Sequence, residues 1–478
     1  MSLFARKPLE ALMKDSGADS LKRTLGASQL VALGIGAIIG AGLFSLTGIA
    51  ASTNAGPAVV LSFVVAAIGC AFAGLCYSEF STMIPIAGSA YTYAYATMGE
   101  LIAWIIGWDL VLEYAVGAAT VGVSWSRYVM SFFGDFGIAF PPQLAASPFE
   151  PVTLPESGAV IVGIINLPAF FVVALISLLL IIGIQESARV NAFIVVLKVT
   201  VVLVFIALGW AYIDPNNFTP FIPENTGEFG SFGWSGILRG AGLVFFAFIG
   251  FDAVSTAAQE AKNPQRDMPI GIIGSLAVCT VLYVLFSHVL TGIVNYTELN
   301  SAAPVAVAID RTDYRWLRPV IKLAIIAGYT SVILVMLLGQ SRVFFSMSRD
   351  GLLPKLFSDV HPRFRTPWRS NLLFMVLTGL LAAFAPIQVL GEATSIGTLF
   401  AFVLVCGGII IMRRTHPEIP RPFKTPFVPV VPILGIIFNL ILIYGLGWTN
   451  WARLFGWMAI GLFIYFGYSR KHSITHNS

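Results

Sequence analysis

Twelve apolar runs of about twenty residues, separated by short polar connections, constrain this chain more than any other feature. A helix of that length crosses the roughly 30 Å hydrocarbon core of a bilayer. Within lipid no water can satisfy a bare peptide group, so a crossing segment must bond its own backbone. The runs centre near residues 40, 66, 115, 171, 202, 247, 282, 330, 379, 404, 438 and 461, and Pro386 and Glu392 interrupt the apolar stretch that holds the ninth and tenth. The chain is 57% hydrophobic and 11% charged, against about 25% charged in soluble domains. The pattern predicts an all-α membrane protein with 12 transmembrane helices and a lipid bilayer as its main partner.

The cations are distributed unevenly. Arg6, Lys7, Lys14, Lys22, Arg23, Arg189, Arg342, Arg349, Lys355, Arg413 and Arg414 fall on one side of the alternating spans, whereas the loops Gly134–Gly158 and Ala211–Gly236 hold no Lys or Arg. The positive-inside rule then places both termini in the cytoplasm of a cell membrane. The loop Asn295–Arg318 is an exception, with Arg311, Arg315 and Arg318. Met1–Gly26 reads as a basic amphipathic lead-in on the inner leaflet, without the apolar core of a cleavable signal peptide.

Several classes of function are not supported. Gly34 and Gly36 begin G-x-G, but Ile39 stands where a dinucleotide loop needs its third glycine. No H-E-x-x-H or nucleophile-elbow signature occurs, which argues against an enzyme. Cys70, Cys76, Cys279 and Cys406 lie in apolar runs without metal-ligand spacing, so no metal site, no other cofactor and no nucleic-acid partner is expected.

The first run, Leu30–Ala51, carries Gly34, Gly36, Gly40, Gly42 and Gly48. Each interior helix glycine costs roughly 0.5–1 kcal/mol relative to alanine. Either these residues let neighbouring helices approach closely, or Ile38–Leu43 is an unwound joint between two half-helices. The sixth run, Gly236–Ala258, has the same character, with Gly250, Asp252, Ser255 and Thr256 at mid-depth. Two matched breaks are what an inverted five-plus-five repeat predicts.

Such joints would form a site. Where the first helix restarts, the N–H groups of Ala41, Gly42 and Leu43 lack partners and carry positive partial charge, which suits a carboxylate. Carbonyls at Ile38 and at Phe246, Ala247, Phe248 and Ile249 would accept hydrogen bonds from an ammonium. Donors beside acceptors suit a free α-amino acid, its side chain resting on rings such as Phe248 and Phe251.

Charges within the spans are costly and are candidates for function. Lys198 lies in the fifth span, where it either snorkels inward or carries an exchangeable proton. Glu113, in the third span, either pairs with Lys198 or bonds a polar group across the gap. Asp252 either meets a substrate cation or caps the following half-helix. Asp109 and Arg239 are expected near the surfaces, and His288 reads as a core histidine.

The segments G-I-G-A-I-I-G-A-G-L-F from Gly34, F-F-A-F-I-G-F-D-A-V-S-T-A-A-Q-E from Phe245, N-P-Q-R-D-M-P-I-G-I from Asn263 and S-R-D-G-L-L-P-K from Ser348 together resemble the amino acid–polyamine–organocation superfamily. They look most like bacterial relatives of the cationic amino acid transporters, over roughly Leu25 to Lys471. The resemblance implies the leucine-transporter fold: 1–27 as lead-in, repeats at 28–212 and 213–412, and two further helices with a tail at 413–478. It also implies that Ala41 and Gly42 hold the substrate carboxylate, while Ile38, Phe246, Ala247 and Ile249 hold the amine. Lys198 would exchange the coupling proton where sodium-driven relatives bind their ion, and Glu113 matches the third-span glutamate.

This chain departs from close relatives in having Ala41 where threonine is common. It also places Met336 at a position that is small in animal cationic transporters. The thioether fills space an arginine side chain would need, so small or medium neutral L-amino acids are expected, with protons and not sodium as the coupling ion. A monomer would suffice. The alternatives are an amino acid exchanger, a cationic amino acid transporter and a transporter-like sensor.

Overall fold

The computed structural model describes residues 6–7, 25–83, 90–153, 160–183, 188–256 and 261–474. The expected lead-in over 1–27 therefore lies largely outside the described residues. The fold is almost wholly helical. In chain order the main elements are α1 (Ala27–Ile38), α2 (42–55), α3 (Val59–Met83), α4 (Ala90–Thr97), α5 (Glu100–Asp135), α6 (Leu167–Ile182), α7 (Ala188–Gly209) and α8 (Gly233–Phe248). There follow α9 (Ala253–Thr256), α10 (Pro264–Ile293), α11 (Leu317–Arg349), α12 (Trp368–Phe384), α13 (Ile387–Thr415), α14 (Val430–Gly445) and α15 (Trp448–Ile464). The loop after α5 adds a small antiparallel ribbon, β1 (Pro151–Thr153) paired with β2 (Val160–Val162), in the register Val152↔Ile161.

Among the described residues, six helical stretches are long and apolar enough to cross a membrane, or seven if α14 and the bent stretch Trp448–His472 form one span. Four further apolar helices (α1, α6, α8 and α12) are shorter. The long stretches carry apolar side chains all round because lipid or protein surrounds them on every side. Pro386 separates α12 from α13 and serves as the residue that caps α13, since proline cannot continue the preceding helix. The side chain of Asn166 accepts the Ala169 N–H at 3.2 Å and starts α6.

The core runs through the centre of the bundle. There α10 packs against α1 and α3, α11 against α5 and α7, and α13 against α14 and α3. Most ion pairs lie towards the two ends. On one end Glu79, fully buried, receives Arg413 at 2.8 Å and Arg421 at 3.4 Å. On the other, Glu392 gathers Arg239 at 3.3 Å, Arg453 at 3.4 Å and Asn450 at 2.9 Å. All four cysteines are buried and free.

Candidate functional site

The first glycine-rich run is broken in the structure. Helix α1 ends at Ile38, and Ile39 is extended with φ −71° and ψ 111°. Helical geometry returns at Ala41, with φ −62° and ψ −26°. The carbonyl of Gly40 then accepts from both Leu43 and Phe44, each at 3.2 Å. Among the described residues, the N–H groups of Gly40, Ala41 and Gly42 have no acceptor. From the sequence this role is expected of Ala41, Gly42 and Leu43. The tight restart engages Leu43 and moves the open set back by one residue.

The sixth run breaks at a matching depth. Helix α8 tightens into a 3-10 turn over Phe245–Phe248, Ile249 becomes extended with ψ 134°, and Gly250 takes φ +114°. Only glycine adopts that last conformation readily. A Cβ on Gly250 would also lie 2.8 Å from the Ala37 carbonyl oxygen, so the second break rests directly on the end of α1. One level higher, a Cβ on Gly42 would come within 2.2 Å of Ala247 Cα. The open donors of the first break thus stand against the carbonyl end of the second.

Those carbonyls are partly engaged. The hydroxyl of Tyr283, on α10, is shared between Ile38 O at 3.1 Å and Ala247 O at 2.8 Å. Phe246 O accepts the Ile249 N–H at 3.2 Å. Each carbonyl oxygen has two lone pairs, so a further donor can still be received. Tyr283 was not singled out from the sequence, where a tyrosine in an apolar run looks like core. His288, expected from the sequence as a core histidine, is half-buried and stacks on Phe218 with ring centroids 4.6 Å apart.

Lys198 lies with 3% exposure beneath the end of α1 and donates to Gly36 O at 2.5 Å and Ile39 O at 3.1 Å. Its stem packs on α11, where a Cβ on Gly328 would lie 2.8 Å from Lys198 Cδ. It therefore caps the negative end of a half-helix and does not snorkel. Glu113 is placed apart from it, accepting from Thr398 Oγ1 at 3.2 Å and standing beside the Asp252 carboxyl. Of the two expectations for Glu113, a polar partner across the gap is the one observed. Asp109, expected near a surface, is 1% exposed, and neither carboxylate oxygen has a partner among the described residues.

The space at the breaks is closed from water: Ile38, Ala41, Leu43, Phe246, Ala247 and Ile249 are 4% exposed or less. Met336 on α11 keeps 8% exposure and Asp252 7%. Met336 faces α5, where a Cβ on Gly117 would lie 3.2 Å from its sulfur. Phe248 and Phe251 are fully covered. Phe248 lies between Phe63 and Tyr283, and Phe251 against Tyr77 and Phe402. Their rings are wall, held by other rings.

Two interrupted apolar helices thus bring bare peptide groups up against each other inside a multi-pass membrane protein. A sequence model of the amino acid permease family matches residues 25–468, and the chain belongs to that family. It is 48% identical to the branched-chain amino acid permease BcaP of Bacillus subtilis, over 99% of this chain and 98% of the relative. It is 44% identical to the methylthioribose transporter of the same organism, over 99% of each chain. The vacuolar cationic amino acid transporter 4 of Arabidopsis thaliana is 30% identical over the whole of this chain and 97% of its own length. These relatives are named as permeases and transporters, and the chain is not an enzyme.

Proposed function

We propose that this chain is a secondary active transporter that imports neutral L-amino acids, small or medium in size, by proton-coupled alternating access. It crosses the membrane twelve times as two inverted five-helix repeats, 28–212 and 213–412, with two further helices and both termini in the cytoplasm. One observation carries the reading: the unpaired N–H groups of Gly40, Ala41 and Gly42 stand beside the carbonyl ends of two half-helices, in a space closed from water. A free amino acid brings both the carboxylate and the ammonium that such a place lacks. Without them, buried donors stay unpaired at about 1–3 kcal/mol each.

The coupling proton is assigned to Lys198. As an ammonium it holds Gly36 O and Ile39 O and meets the negative end of α1. On losing its proton it keeps weaker bonds and frees the joint, which links a proton to the shape of the site. Glu113 and Asp252, side by side, offer a second place where one proton sits between two carboxyl groups. The family resemblance sets this ammonium where sodium-driven relatives bind their ion, so protons alone are expected to couple, with no sodium and no other cofactor.

Uptake of labelled alanine and leucine into proteoliposomes tests this. It should rise with an inward proton gradient and be indifferent to sodium; sodium dependence would refute it. An exchanger would instead show stimulation by internal amino acid without net proton flux. The relative named for methylthioribose favours testing that sugar as a competitor. It carries neither carboxylate nor ammonium and should not compete.

A further inference from the structure

Away from the breaks, a cavity of about 260 Å³ opens between α6, α11, the 8-residue loop 360–367 and the start of α12. Two arginines line it, Arg342 from α11 and Arg365 from the loop, and among the described residues neither guanidinium has an acceptor. Asn371 and Ser341 line it too, 6% and 3% exposed, and their side chains likewise lack a partner among the described residues. Among the described residues, no carboxylate lines the cavity. The nearby Asp359 is used elsewhere, by Arg369 at 2.6 Å.

The loop is fixed. His361 N–H donates to Thr366 O at 2.8 Å, Arg365 N–H to His361 O at 2.9 Å, and Thr366 Oγ1 to Ile181 O at 2.6 Å. These bonds hold Arg365 at φ +58°, a conformation that side-chain-bearing residues adopt rarely. The positive end of the α12 dipole, whose first turn contains Asn371, adds to the same field. Two guanidiniums, an amide and a hydroxyl converge on one space that holds no carboxylate among the described residues. Planar guanidiniums match the paired oxygens of a phosphate or a carboxylate.

The remaining wall is apolar: Leu180, Leu338 and Phe345. Leu178 and Ile182, on the same end of α6, are 47% and 49% exposed, as a lipid-facing surface is. We propose that this cavity binds the phosphate of an anionic phospholipid of the cytoplasmic leaflet. Arg342 and Arg365 pair with the phosphate, Asn371 and Ser341 donate to it, and the first part of an acyl chain lies along Leu338 and Phe345. Arg342 stands on the same helix as Met336 and Gly328, so the bound lipid braces the helix that flanks the transport site.

The test uses the full chain, delipidated in neutral detergent, read by native mass spectrometry and thermal unfolding. Phosphatidylglycerol should be retained as discrete adducts and raise the unfolding midpoint at concentrations about tenfold below those at which phosphatidylcholine acts. The double variant Arg342→Gln/Arg365→Gln should lose that preference, and Arg369→Gln should keep it. Asn371→Asp, nearly isosteric, should lose it by placing a carboxylate in the cavity, and it decides the matter if the double variant does not fold. Unchanged retention in the double variant or in Asn371→Asp would overturn the proposal. So would equal protection by phosphatidylcholine, or by inorganic phosphate, which would point to a soluble source.

Discussion

Replacing Lys198 by methionine removes the ammonium while keeping most of the stem that packs on Gly328. The structure fixes what is lost: two bonds, at 2.5 and 3.1 Å, to carbonyls at the end of α1. Hydrogen bonds from a charged donor are worth about 1.5–3 kcal/mol each, so simple addition gives roughly 3–6 kcal/mol. Attraction to the helix end adds about 0.3–1 kcal/mol. Since about 1.4 kcal/mol is tenfold in an equilibrium, even the low estimate shifts the position of α1's end by about a hundredfold. Two measurements follow. In proteoliposomes, Lys198→Met should show no response of alanine uptake to an inward proton gradient. In detergent, its unfolding midpoint should fall and alanine should protect it at least about tenfold less well. A lowered midpoint with an intact proton response would leave Lys198 as an anchor and remove it from coupling. A variant unchanged in both would refute the whole argument.

Other changes probe the neighbouring contacts. Tyr283→Phe deletes the hydroxyl shared by Ile38 O and Ala247 O, leaving two carbonyls short of a donor. It should cost about 1–3 kcal/mol, read as a lower unfolding midpoint and weaker protection by alanine. Gly42→Ala forces a methyl to within 2.2 Å of Ala247 Cα, where backbone cannot give way. Overpacking of about 1–3 kcal/mol should abolish uptake, while Gly456→Ala, with nothing within 4 Å, should leave it unchanged. Met336→Ser empties the space beside Gly117 and should allow arginine to protect the protein against unfolding, whereas the parent should show no such protection.

The breaks were legible because they leave marks on single residues. A helix that must stop within lipid needs glycine where the backbone turns or touches another backbone, and Gly42 and Gly250 stand at those points. Lys198 was legible because an ammonium within an apolar run is too costly to be idle. The role of Tyr283 was not, since its ring belongs to the core and only its hydroxyl reaches the site. The ring contacts of Phe248 with Phe63 and Tyr283, and of Phe251 with Tyr77 and Phe402, were not legible either. Residues beside a break point in several directions, and composition does not say which. Asp109 illustrates a third limit, that of depth. Helix α5 has 36 residues, about 54 Å at 1.5 Å per residue, far longer than the roughly 30 Å core it would cross. Counting along such a helix therefore does not fix where the membrane begins. A carboxylate nine residues from its start can be a surface group or, as here, a buried one with both oxygens unpartnered among the described residues. The third dimension decides it, through the packing of Asp109 against Gly397 of α13, where no side chain intervenes.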